Sequence, residues 1–195
     1  MRYYPFFILA LFTSHCGVEA GNVGKGRTGQ VKILFAQETA SSGESLSVEV
    51  SSLGLIDSAD SEAATLNASE TSIDLYGSSS TSVLVAESSE IPAGSYAKVA
   101  IRLKGDKPVH YRDENGREHD VQLDDDTKES FFITQAIEVV EDEVTTIIVN
   151  LDPYQSLSRP ADDSFVFKPR GEVARHNQSY VGATAVTGAR WACLY

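Results

Sequence analysis

Apolar residues in this chain recur at every second position, in segment after segment. Almost nowhere do they show the three- or four-residue spacing of an amphipathic helix. Val31, Ile33 and Phe35 alternate with Lys32, Leu34 and Ala36, and Leu46, Val48 and Val50 with Ser47, Glu49 and Ser51. Ile73 and Leu75 alternate with Asp74 and Tyr76, and Val99, Ile101 and Leu103 with Lys98, Ala100 and Arg102. Successive side chains of a strand point to opposite faces, so this period predicts half-buried strands. Residues 144–151 (VTTIIVNL) and 165–168 (FVFK) are rich in β-branched and aromatic side chains, which suit a pleated surface. The best helical candidate is short, residues 58–66.

Turn chemistry fits the same reading. Asn115-Gly116 separates the extended runs 109–113 and 118–123, and Asn-Gly is favoured where both central residues of a two-residue hairpin loop need positive φ. Pro92-Ala93-Gly94 marks a turn before the strand at 96–103. The serine-rich stretches 78–82 and 87–89 read as exposed loops. Many short strands with turns between them predict an all-β chain, most simply two packed antiparallel sheets. Residues 30–195 are long enough to bury a core as a single domain.

The N-terminus reads as an export signal. Arg2 supplies a positive start and residues 6–12 (FFILALF) an unbroken apolar run, far shorter than the roughly 20 residues that span a bilayer. Two processing sites compete. Cys16 follows Thr13-Ser14-His15, which resembles the lipobox of bacterial lipoproteins, although that pattern expects a small residue where His15 stands. In this reading residues 1–15 are the leader and Cys16 is acylated. Gly17, rather than Asp, then points to the outer membrane, by resemblance to the sorting rule of enteric bacteria. Val18-Glu19-Ala20 is the rival, and cleavage there releases a periplasmic or secreted protein starting at Gly21. Residues 16–29 hold five glycines and no aromatic, a tether with a reach of about 20 Å. Either route leaves Cys193 alone, so no intramolecular disulfide is expected.

With 28 acidic against 16 basic side chains the chain carries a net charge of -12. No basic patch stands ready to displace counterions, which argues against nucleic-acid binding.

Several pieces, in order, resemble the bacterial family called domain of unknown function 4382, often found on lipoproteins. They are Ile73-Asp74-Leu75, Val83-Leu84, Ile91-Pro92-Ala93-Gly94-Ser95-Tyr96, Ile101-Arg102-Leu103, Val149-Asn150-Leu151-Asp152 with Ser156-Leu157, and Phe167-Lys168-Pro169. They lie in a block, residues 73–173, that carries the resemblance. The family's L-x-D-A-P motif after the first strand is replaced here by Leu34-Phe35-Ala36-Gln37-Glu38-Thr39. The resemblance implies an exported β-sandwich of immunoglobulin-like or transthyretin-like type and implies no catalytic residues.

The residues themselves offer little catalytic chemistry. No Gly-x-Ser-x-Gly elbow is present. A two-residue Asn115-Gly116 loop sets Arg112 opposite His119 and His110 opposite Val121, so both histidines share one face as a possible metal pair, short of the usual ligand number. The other face then sets Asp113 against Glu118 and Tyr111 against Asp120, a like-charge pairing that Ca²⁺ or plain solvation would relieve. Asp113, Glu118 and Asp120 are therefore weak metal candidates, with Asp124-Asp125-Asp126 and Asp162-Asp163 as further acidic groups. No Asp-x-Asp-x-Asp-Gly loop accompanies them, and no cofactor is expected. Asp152 and Ser156 read as turn-formers, Trp191 and Tyr195 as packing aromatics. The expected function is a non-catalytic cell-envelope lipoprotein, a binding or structural module for an unknown protein or glycan. A calcium-stabilised adhesive domain and a secreted accessory to a glycan- or peptide-degrading hydrolase are the alternatives.

Overall fold

A computed structural model describes residues 26–39, 43–77, 81–159 and 164–179, with the backbone alone described for 174–179. The strands, in chain order, are β1 (Thr28–Ala36), β2 (Glu38–Thr39), β3 (Ser45–Ile56), β4 (Glu62–Asn67), β5 (Ser72–Asp74), β6 (Tyr76–Gly77), β7 (Ser82–Pro92) and β8 (Gly94–Leu103). They continue as β9 (Val109–Arg112), β10 (Glu118–Leu123), β11 (Ser130–Val139), β12 (Val144–Leu151), β13 (Leu157–Ser158), β14 (Phe165–Phe167) and β15 (Gly171–Ser179). Among the described residues the one helix is a single turn, α1 (Pro153–Ser156), and no helix is long and apolar enough to cross a membrane.

The strands form a smaller sheet, β15-β12-β1-β7, and a larger one, β11-β8-β3-β9-β10-β14-β13, with β4 and β5 also paired to β3; β2 and β6 form a short ribbon. One core joins the two sheets. From the smaller sheet come Val31, Ile33, Phe35, Ile147, Val149 and Leu151; from the larger come Leu46, Val48, Val50, Leu53, Leu55, Val99 and Ile101, all essentially without solvent contact. These are the residues the period-two pattern places inward. Thr145 shares that buried row, and its Oγ1 donates to the Glu138 carbonyl at 3.3 Å, so the polar group is not left unpaired.

Antiparallel pairs dominate, but three pairs are parallel: β1 with β12, β10 with β14, and β2 with β6. Parallel neighbours need a long crossover. In the β1–β12 pair, with Ile33 opposite Ile147, the intervening chain that builds the larger sheet supplies it.

Two expectations are overturned. Residues 58–66 are not helical. Asp57 Oδ1 accepts the Ala59 and Ser61 N–H groups at 2.8 and 2.9 Å, which closes a tight turn, and β4 then pairs with β3. Asp and Ser favour turns over helix interiors because their side chains bond the nearby backbone. Residues 87–89 are not a loop but lie inside β7, where Lys32 faces Glu87 and Val31 faces Ser88 beside a register shift. Pairing with β1 overrides their composition.

The Pro92-Ala93-Gly94 turn sits where the sequence places it and is pinned from two sides. Ala93 N–H donates to the Arg27 carbonyl at 2.8 Å. Tyr96, only 2% exposed, turns its hydroxyl back to donate to the Pro92 carbonyl at 2.6 Å.

Candidate functional site

The hairpin β9–β10 gathers the histidines, aromatics and carboxylates singled out above, but in a different register. Glu118 lies opposite Arg112, His119 opposite Tyr111, and Asp120 opposite His110. The loop holds three residues, not two. Asp113 N–H donates to the Arg117 carbonyl at 3.0 Å and Gly116 N–H to the Asp113 carbonyl at 2.9 Å, with Gly116 at φ +78°. The Asp113 carboxylate accepts the Asn115 and Arg117 N–H groups, both at 2.9 Å. A one-residue slip exchanges the faces of a strand. The two histidines therefore lie on opposite faces, and Asp113 does not oppose Glu118. The observed register is the one that sets Val109 and Tyr111 on the same, inward side as His119, Val121 and Leu123.

On that side the rings of Tyr111, His119 and Phe165 pack together, with centroids 4.8 Å apart for each contact of Phe165 and 5.6 Å for Tyr111 with His119. β14 runs parallel to β10 with Phe165 beside Val121, which brings the phenyl ring to the histidine. His119 Nε2 lies 2.9 Å from Asp113 Oδ2. That hydrogen bond, with the backbone N–H groups of the turn, holds the Asp113 carboxyl below its ordinary range. Tyr111 Oη donates to Glu44 Oε1 at 2.9 Å. Burial, reinforced by the Glu44 carboxylate, pushes the phenol up to about 12. Arg159 covers the Phe165 ring at 5.6 Å. Glu44, Arg117, Arg159 and these groups line a cleft of about 400 Å³. No serine, threonine, cysteine or lysine is among its described lining residues. Ser45 and Ser47 line a neighbouring cleft with His110 and His119, on strand β3 where Ser47 lies opposite His110. Tyr111 stays neutral near pH 7 as a hydrogen-bond donor.

The weak metal candidates do not converge. Asp113 is spent on its own turn and on His119. Asp120 points to the opposite face, where Lys107 Nζ lies 3.0 Å away, and Glu118 shares that outer face with Arg112. Among the described residues no three His, Cys, Asp or Glu side chains stand close enough to hold a metal ion. His110, also outward, lies 3.7 Å from Glu49. The 124–126 triplet is matched by lysines: Asp124 takes Lys168 Nζ at 3.0 Å, which lowers its carboxyl's pKa, and Asp125 lies 3.4 Å from Lys128. Asp152 caps α1 by accepting Gln155 N–H at 2.9 Å. Buried Ser156 exchanges two hydrogen bonds with the Arg170 backbone, so both act as the turn-formers the sequence suggested. Cys16, the tether up to residue 25, Asp162, Asp163, Trp191, Cys193, Tyr195 and the His176 side chain lie outside the described residues.

A second concavity has no counterpart in the sequence reading. On the outer face of the larger sheet, Phe132 of β11 lies opposite Ala100 of β8, Ala100 opposite Gly54 of β3, and Gly54 opposite Thr65 of β4. The middle of this row is small, and longer side chains stand around it. Lys98 Nζ lies 2.6 Å from Asp60 Oδ1, and Arg102 pairs with Glu62. Thr65 Oγ1 donates to Glu62 at 2.5 Å. With Ile56 and Phe132 these charged groups line a trough of about 350 Å³. Phe132 is 58% exposed. The missed signal was parity: Phe131 and Ile133 are core residues, so the ring between them must face outward.

No curated protein and no solved structure matches this chain. A family model does match, over residues 28–169, described as "Domain of unknown function (DUF4382)". The match covers most of the chain and begins at Thr28, well before the block starting at Ile73 that carries the sequence resemblance. It takes in β1, an inner strand of the smaller sheet, and ends at Pro169, two residues beyond β14. By that match, the chain belongs to the DUF4382 family of uncharacterised domains.

Proposed function

We propose that this chain is a non-catalytic lipoprotein of the cell envelope, acylated at Cys16, that carries its β-sandwich on a glycine-rich tether as a binding module. The observation that supports the non-catalytic part is the commitment of Tyr111, Asp113 and His119 to one another and to Phe165. Groups that could serve as acid or base are spent on closing a hairpin, and no serine, threonine, cysteine or lysine is among the described residues that line the cleft holding the His119–Asp113 pair. Anchoring follows from the lipobox-like leader, since several acyl chains together hold a protein stably on a bilayer.

Labelling with radioactive palmitate, together with mass spectrometry of the mature N-terminus, tests the anchor. Wild type should carry label and begin at Cys16, and Cys16→Ala should carry none. An unlabelled wild-type protein beginning at Gly21 overturns the anchored reading. Assay of the purified chain against ester, peptide and glycoside reporters tests the rest. Turnover that disappears in His119→Ala would show that the hairpin cluster is an active site.

A further inference from the structure

The geometry points to the trough beside Phe132 as a binding site for a neutral pyranose ring of a glycan. Three features of the outer face, independent of the hairpin cluster, carry this.

The first is the ring itself. Phe132 sits amid charged neighbours and is 58% exposed, so more than half of an apolar side chain is open to receive the apolar C–H face of a sugar. The second is the charge balance. The trough holds two cations and two carboxylates, each matched with one partner: Lys98 with Asp60, Arg102 with Glu62. In a protein of net charge -12 this patch is locally neutral, so it offers no field to draw in an anionic or cationic ligand. It does offer planar carboxylate and guanidinium edges, which suit adjacent hydroxyl groups. The space, about 350 Å³, falls in the range of small-molecule sites.

The third feature is a carboxylate that a tight turn places at the edge of the trough. The turn after β3 repeats the turn of the β9–β10 hairpin bond for bond. Asp57 N–H donates to the Ser61 carbonyl as Asp113 N–H does to Arg117, and each aspartate takes two N–H groups of its own turn. The fourth residue of each is left-handed: Gly116 at φ +78° in one, Asp60 at φ +60° in the other. Glycine adopts that conformation freely and aspartate is among the few other residues that tolerate it; Asp142, in the β11–β12 turn, takes it as well at φ +59°. Asp60 occupies this place and carries its carboxylate to Lys98, 2.6 Å away on the lining of the trough. The turn thus brings a carboxylate to the edge of the trough at the place where its twin in the β9–β10 hairpin has only a glycine.

The inference rests on the binding-module reading but fails separately from it. Failure to bind glycans leaves an acylated, inert module standing. Cleavage of a bound glycan ends the non-catalytic reading and keeps the site. The full-length mature protein is presented to a printed array of neutral and acidic glycans, followed by calorimetry with cello-, laminari-, manno- and xylo-oligosaccharides. Binding to at least one neutral glycan is expected. Phe132→Ala should weaken it about tenfold or more with no loss of fold, since the ring is exposed. Asp60→Gly should weaken it while leaving Tm equal or higher, which a purely structural role for Asp60 would not produce. The proposal is overturned if wild type binds no neutral glycan, if only acidic glycans bind, or if Phe132→Ala binds as well as wild type. It is equally overturned if sedimentation shows a dimer that Phe132→Ala dissolves, since the trough would then be covered by a second copy.

Discussion

Tyr96→Phe removes one oxygen from the molecule and tests whether the turn between β7 and β8 is held by a single hydrogen bond. The ring stays, so packing against the core is unchanged. What is lost is the donor to the Pro92 carbonyl, at 2.6 Å and in a side chain only 2% exposed. A buried hydrogen bond contributes about 1 kcal/mol net, and stranding its acceptor away from water costs more, so a loss of about 1–2 kcal/mol is expected. For a domain of this size that lowers Tm by about 3–6 °C. Urea titration is the cleaner assay. The midpoint should fall with an unchanged slope, because the surface exposed on unfolding is the same. Tyr154→Phe is the control, since Tyr154 is 54% exposed and should change nothing measurable. A Tyr96→Phe midpoint indistinguishable from wild type would refute the reasoning: the hydroxyl would then be a bystander and the turn held by Ala93 and Gly94 alone.

Three further outcomes are expected. Gly29→Ala should cost about 1–3 kcal/mol through overpacking, read in the same titration, because a Cβ there runs into the Val140 carbonyl and lies 2.9 Å from Val139 Cγ1; no loss would mean that β1 shifts freely. The pH response has a sign at each end. Asp113, depressed chiefly by His119, supports the fold fully above the unfolded carboxylate value of about 3.9, and the support goes as pH falls through the lower folded value. The Tm gap between wild type and Asp113→Asn should therefore close below about pH 4, the difference being needed because burial shifts Asp74 the opposite way. Tyr111, pushed up to about 12, is fully supportive below the free phenol value of about 10 and loses that support as pH rises through its folded value. An alkaline melting profile steeper than that of Tyr111→Phe is the expected reading, and identical profiles would contradict it. Lastly, calcium or EDTA should leave Tm unmoved, since Asp113 does not share the face of Glu118 and Asp120 and no three such side chains converge among the described residues; a calcium-dependent rise would restore the adhesive-domain alternative.

The strands were legible wherever one face is buried and the other wet, as in Val31-Ile33-Phe35, because burial imposes a period that the residues must obey. Register was not legible from Asn115-Gly116 alone. The dipeptide fits a two-residue loop, yet Asp113, three residues before the glycine, captures two N–H groups and stabilises a three-residue loop with Gly116 left-handed. Side-chain capture also decided 58–66, where Asp57 outcompetes a weak helical pattern. Parallel pairing left no trace in the alternation, because it depends on where distant chain returns. The trough escaped for a similar reason: it lies along a row of Phe132, Ala100, Gly54 and Thr65, four positions on four strands that only the sheet makes neighbours.

The pairing of β1 with β12 has a consequence for how the molecule comes to exist. A polypeptide emerges from its N-terminus, so Val31, Ile33 and Phe35 appear early, while the strand bearing Ile147 and Val149 arrives only when most of the chain has been made. Until then the first strand has one flank without a partner and a greasy side with half its cover missing, a state prone to sticking to other chains. The smaller sheet can therefore close only late, and such long-range closure is slow. A chain built this way stays unfinished and pliable for longer than a hairpin-by-hairpin design would, and during that interval it depends on whatever keeps unfinished chains apart.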